Sequence, residues 1–110
     1  MGTPSVGSVV VVPFPFSDLS NSKKRPAVIV ANAGRGDWIL CQITSNPYAD
    51  PNAIQLDSSD FLNGGLQIRS FVRPAKLFTA NESLFLSVAG ALQDNKTEAI
   101  RNQIITLFLS

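Results

Sequence analysis

Short runs of β-branched and aliphatic residues, cut apart by Gly, Pro, Asn, Asp and Ser, are the feature that most restricts how this chain folds. Ser8 to Phe14 (SVVVVPF), Arg25 to Ala31 (RPAVIVA), Trp38 to Thr44 (WILCQIT), Ala53 to Leu56, Ile68 to Val72 and Leu84 to Ala91 (LFLSVAGA) have the length and composition of strands. Gly34-Arg35-Gly36 reads as the turn that joins the second and third runs into a meander. Ser58 to Gly65 reads as a connector, Pro74 as an edge or a break, and Leu77-Phe78 as a single turn or bridge. One helix is predicted at the end. Asn95 has Glu98 three residues on, a capping-box spacing, and Ile100, Ile104, Leu107 and Phe108 share one helical face. So many short strands with one helix predict a mainly β (α+β) domain, a small and strongly bent antiparallel sheet closed into a barrel with the helix against it.

Composition limits the chemistry. With 110 residues the chain is expected to be one domain, and 45% hydrophobic content is enough for a core without disulfides. Cys41 is the only cysteine, which excludes an intramolecular bridge, a cysteine-rich zinc cage and a CxxC pair. There is no histidine, so Ser-His-Asp, Cys-His and HExxH chemistries are closed to it. An enzyme of this composition works with Arg, Lys, Asp, Glu, Ser, Thr or Tyr, and no metal site or cofactor motif is expected. The first apolar run is cut by Pro13 and Pro15 and follows no positive segment, so a soluble cytoplasmic chain without a membrane span is expected.

Three clusters are candidates for a site. Lys23, Lys24 and Arg25 end a polar loop, and Pro26 restricts Arg25 to an extended backbone. They read either as a solvated basic loop or as a phosphate site, for which the planar guanidinium fork is suited. Gln42, Thr44 and Ser45 end the third run, either as the start of a turn or as a polar wall for a ligand, with Gln42 and Thr44 on one face. Arg69, Arg73 and Lys76 form a second basic stretch, which reads as a charged edge strand or as further phosphate contacts. Phe16 reads as core or as a stacking platform for a base. The carboxylates are scattered, and Asp57 and Asp60 suit turn formation or capping.

Taken in order, Gly7 to Phe16 (GSVVVVPFPF), Lys24 to Val30 (KRPAVIV), Cys41 to Ser45 (CQITS), Gly64-Gly65-Leu66, Ser70 to Thr79 (SFVRPAKLFT) and Gly90-Ala91-Leu92 resemble the MazF/PemK family over nearly the whole chain. The PemK-like branch, whose first strand runs into Pro-Phe-Pro-Phe, is the nearest pattern. The resemblance implies an SH3-like barrel (CcdB/MazF-like), a homodimer, and an endoribonuclease toxin that cuts single-stranded RNA without metal or ribosome and is neutralised by a cognate antitoxin. By position, it implies Arg25 and Thr44 as catalytic residues and residues 17–24 as the loop bordering the RNA. Ser8 stands where members commonly carry Asp, and Arg73 lies near a position where some branches carry an acidic residue, which removes a carboxylate base there. RNA contacts are expected from Phe16, Lys23, Lys24, Gln42, Ser45, Arg73 and Lys76. The related gyrase-poisoning toxins share the barrel, so a non-catalytic toxin that binds a protein, or a degenerate RNA-binding module, are the alternatives.

Overall fold

A computed structural model of the chain describes residues 4–14, 23–47 and 49–110. Among these residues seven strands form one antiparallel sheet: β1 (Ser8–Phe14), β2 (Lys23–Gly34), β3 (Asp37–Thr44), β4 (Ile54–Leu56), β5 (Phe61–Gly64), β6 (Ser70–Asn81) and β7 (Ser87–Leu92). Their order across the sheet is β4-β6-β3-β2-β1-β7-β5. The sheet is bent into a half-barrel, and the helix α1 (Asp94–Leu109) follows β7. The mainly β architecture with a C-terminal helix is therefore the one the strand pattern predicts. Phe16 and the polar loop 17–22 lie outside the described residues.

The continuous apolar runs of β1 and β2 have a direct cause. Both faces of the central strands are covered, so neither face needs the polar residues that alternate along a half-exposed strand. Val9, Val28, Cys41 and Val72 belong to one buried cluster, which α1 joins through Ile100. Val10, Ala27, Ile29 and Leu40 belong to a second cluster with Trp38 and Ala80. Adjacent residues thus alternate between two cores, and Val9 pairs with Val28, which pairs with Cys41. Cys41 is wholly buried, and burial pushes its thiol up to about 12, so it serves packing rather than reactivity.

The β2–β3 meander closes as expected. Gly34 pairs with Asp37, leaving Arg35 and Gly36 as the two loop residues, at φ 57° and 82°. Two positive φ values are what a type I′ hairpin turn requires.

Several expectations are corrected. Pro74 does not end a strand: β6 runs through it to Asn81, taking in Leu77 and Phe78. The register jumps from Cys41↔Leu77 to Gln42↔Arg73, so residues 74–76 form a bulge in which Pro74 owes no ladder hydrogen bond. The supposed connector 58–65 contains a 3₁₀ turn (Ser58–Asp60) and β5, which pairs with β7. The last strand is β7, because a second 3₁₀ turn occupies Glu82–Leu84. The helix starts at Asp94 with Gln93 as N-cap, two residues before the expected cap. Thr97 is buried against Gly7 and donates its hydroxyl to Gln93 O at 3.2 Å, which anchors the first turn without the Asn95–Glu98 box. Of the helical stripe, Ile100 is buried and Ile104 and Leu107 are half-buried, but Phe108 is 76% exposed. Asp60 does take the capping role expected of it, accepting the Asp57 N–H at 2.7 Å and an ion pair from Lys96 at 3.3 Å.

β5 and β7 touch backbone to backbone at Gly64 and Gly90, and a Cβ at Gly90 would collide with Asn63 O. Gly90→Ala is therefore expected to lower the urea midpoint by the equivalent of about 1–3 kcal/mol, an overpacking cost. Gly65, with open space around it, serves as control. Gly65→Ala should stay within about 0.5 kcal/mol of the parent, and equal effects at the two sites would contradict this close approach.

Candidate active site

The β2–β3 register builds the site. Ala27 pairs with Gln42, and continuing that register by two residues brings Arg25 to the level of Thr44 at the end of β3. Val12 on β1 pairs with Arg25, and Phe71 on β6 pairs with Thr44. One row across four strands therefore reads Val12, Arg25, Thr44, Phe71, and the next row inward reads Val10, Ala27, Gln42, Arg73. Strand alternation turns Arg25 and Thr44 to the same face, as it does Gln42. Arg25, before Pro26, and Thr44, at the end of β3, line the same cleft.

Arg25 is half-buried, and its Nε is shielded from solvent. Thr44 is buried, 3% exposed. Its Oγ accepts the Asn46 N–H at 3.2 Å and donates to Asn46 O at 3.1 Å, a local turn that fixes the hydroxyl where β3 ends. A cleft of about 260 Å³ opens at this end of the sheet, where residues of both faces meet. Lys24, Arg25, Pro26, Thr44 and Ser45 line it on the β2–β3 side. Lys24 and Ser45 are exposed. Two cations and three hydroxyls, the third from Ser70, with no carboxylate in the lining make a site for an anion.

Other candidates lie elsewhere. Gln42 is 7% exposed and sits one row in from Thr44, outside the cleft lining. Arg73 donates from Nε to Asp50 Oδ2 at 3.1 Å, with the two side chains 18% and 9% exposed. Lys76 is exposed on the β6 bulge and lies within the electrostatic reach of Asp50. Arg69 donates to Gln55 at 3.3 Å and lies over the Phe71 ring. The basic stretch 69–76 thus does not converge on the cleft. Phe16 and the Lys23 side chain lie outside the described residues.

Sequence reasoning missed Asp50 and the stretch 66–70. Asp50 accepts the Asn52 N–H at 2.9 Å, and this bond, with the Arg73 guanidinium and the Lys76 charge, holds its carboxyl below the usual 3.8 against the opposing effect of burial. The signal available for Asp50 was the Asn-Pro-Tyr-Ala-Asp-Pro loop between two polar strand ends. Leu66, Gln67, Ile68 and Ser70 complete the cleft lining, and no local pattern singles them out.

A second, apolar groove of about 280 Å³ runs beside α1, bordered by Val30, Ile39, Leu77, Ile104, Ile105 and Phe108. Among the described residues no helix is long and apolar enough to cross a membrane.

Comparison with known proteins gives a family. Residues 5–108 match the model of the PemK-like, MazF-like toxin of type II toxin-antitoxin systems. Among solved structures, a chain of MazE–MazF from Deinococcus radiodurans aligns with TM-score 0.75 at 16% identity, covering 96% of this chain and 95% of that one. An endoribonuclease from a mycobacterial species aligns at 0.71 and 20% identity over 98% and 93%. A mycobacterial endoribonuclease in complex with its cognate antitoxin aligns at 0.68 and 18% over 99% and 95%. At these identities the structural likeness shows the fold. The sequence search among curated proteins returns no match.

The Asp50–Arg73 pair has a pH signature. A carboxyl whose value is lowered by folding contributes stability above its unfolded value and loses it as pH falls through the folded one. The wild type is expected to be more stable than Asp50→Asn at about pH 7, with the difference narrowing once the pH drops below the usual 3.8. Urea midpoints of both proteins across that range measure it; a constant difference would contradict an ionised, hydrogen-bonded Asp50.

Proposed function

The chain belongs to the PemK-like, MazF-like toxins of type II toxin-antitoxin systems, and from that premise we propose that the Arg25–Thr44 cleft cleaves single-stranded RNA. The observation that carries this reading is that Arg25 and Thr44 line one cleft whose charged lining residues are both cations.

RNA brings its own nucleophile. The 2′-hydroxyl attacks the adjacent phosphorus, the bond to the 5′-oxygen breaks, and the products carry a 2′,3′-cyclic phosphate and a 5′-hydroxyl. The protein then has to align the reacting atoms and stabilise charge on the phosphoryl oxygens. Arg25 supplies a permanent charge and fixed donors for one oxygen. Thr44 supplies a hydroxyl for a second oxygen, turning its proton from Asn46 O to the phosphate while still accepting the Asn46 N–H. Arg25 is not assigned a proton-transfer role, because a guanidinium keeps its proton up to about pH 12 or beyond. Asp50 is not assigned one either: it lies outside the cleft lining, and its lowered value makes it a weak base.

Lys24 and Ser45 hold a flanking phosphate, and Lys23 and Phe16 are proposed as further RNA contacts. Lys76 adds an exposed cation. Arg73 and Gln42 form the support behind this row, and Arg73 acts by holding Asp50 and its loop. The protein works in the cytoplasm as a homodimer, needs no metal, and is neutralised by a cognate antitoxin. Support for the antitoxin comes from similar solved structures, a MazE–MazF and an endoribonuclease in complex with its cognate antitoxin.

A second reading, a toxin that acts by binding a protein through α1, is favoured by the exposed Phe108 next to the apolar groove. Activity separates the two. Single-stranded RNA incubated with the purified protein in excess chelator should be cut, and Arg25→Ala should slow the cutting by about 10²–10³, the loss found for one preorganised oxyanion donor. Thr44→Val should slow it in the same direction, with far-UV circular dichroism unchanged for both. Cutting that requires magnesium, or undiminished cutting by Arg25→Ala, would contradict the assignment.

A further inference from the structure

The cleft has a second side that the cleavage chemistry leaves unused. Residues 66–70, the stretch that leads into β6, contribute Leu66, Gln67, Ile68 and Ser70 to its lining. In the sheet β3 lies between β2 and β6, so Thr44 stands with Arg25 on one flank and this stretch on the other.

The two flanks differ in chemistry. Lys24 and Arg25 charge the first, while the residues of the second that line the cleft are all neutral. The one charged residue of the stretch, Arg69, is drawn toward β4 by the Gln55 side chain at 3.3 Å and by the Phe71 ring, whose centroid lies 5.6 Å from its guanidinium carbon. Ser70 is committed as well, because its Oγ donates to Ile68 O at 2.8 Å and so fixes the local backbone. Leu66 packs on the core. Gln67 and Ile68 remain. Gln67 is exposed, and its amide makes no hydrogen bond among the described residues. Ile68 is 68% exposed.

A planar amide presents an acceptor and two donors, the complement of a base edge, and an aliphatic surface beside it suits the face of a base. A neutral wall does not attract a second phosphate. We propose that Gln67 reads a base: the nucleotide next to the phosphate held at Arg25 and Thr44 lays its base against Ile68 and pairs its edge with the Gln67 amide. Gln67 is then a specificity-determining residue for single-stranded RNA. This rests on the RNA reading of the cleft.

The test separates the two. A randomised single-stranded pool of 2′-fluoro RNA, which lacks the attacking hydroxyl, is enriched by binding to the wild type, Gln67→Leu and Gln67→Glu, and sequenced; an unmodified pool is cut in parallel. The wild type should favour one base at one position by about tenfold or more. Gln67→Leu should flatten that preference, and Gln67→Glu, which loses the amide donors, should change which base is favoured. The same preference in all three proteins, or none in the wild type, overturns the proposal. A wild type that selects a base through Gln67 yet leaves the unmodified pool uncut upholds the base-reading role and contradicts the cleavage reading.

Discussion

The register between β2 and β3 is the constraint on which the rest of the structure depends. Because strand side chains alternate, a slip of one residue would carry Arg25 to the helix-side face and exchange the residues of β2 between the two cores, so that neither stays matched to its partners. Two buried clusters oppose that slip from both faces: Val28 and Cys41 lock one, and Ile29 and Leu40 lock the other. Putting a guanidinium into the first cluster would bury an unpaired charge, among the costliest changes a core can suffer. The packing of uncharged residues thus sets where the one well-placed arginine points.

The exit of β3 is held by polar groups in succession. Thr44 fixes Asn46, Asp50 fixes Asn52, and Arg73 reaches from β6 to hold Asp50. The β6 bulge at residues 74–76 belongs to the same arrangement, because the register jump there is what brings Arg73 opposite Gln42, one row behind the site. The chain after Thr44 is therefore tied to a neighbouring strand. A hydroxyl positioned before substrate arrives costs little reorganisation when charge develops beside it.

Much of this was legible in the sequence, and the parts that were not share a cause. β1, β2 and β3 were readable because β-branched runs end at strong turn signals, and Arg25 was readable because Pro26 confines its backbone. β5 was not, since Phe61–Gly64 has no periodicity and exists by pairing with β7, far along the chain. Pro74 looked like a break because a ladder rule was applied where a bulge exempts it. Asn95 and Glu98 carried a good local cap, but burial of Thr97 set the start of the helix two residues earlier. The basic stretch 69–76 failed as a patch for the same reason: nearness in sequence is not convergence in space, and both its arginines are taken up, Arg73 by Asp50 and Arg69 by Gln55 with Phe71. Gln67 is meaningful only once the fold sets it beside Thr44's end of the sheet.

A chain with no histidine can be a nuclease if the substrate provides the nucleophile and the protein provides fixed charge. That claim is tested most directly by removing one oxygen atom from the substrate. Two single-stranded RNAs that differ only by a 2′-deoxy sugar at the preferred cleavage position are incubated with the wild-type protein in chelator, and the products are resolved by mass. The all-ribose strand should be cut there, leaving a 2′,3′-cyclic phosphate, and the deoxy strand should survive at that bond. Cutting of the deoxy strand at the same bond would contradict it.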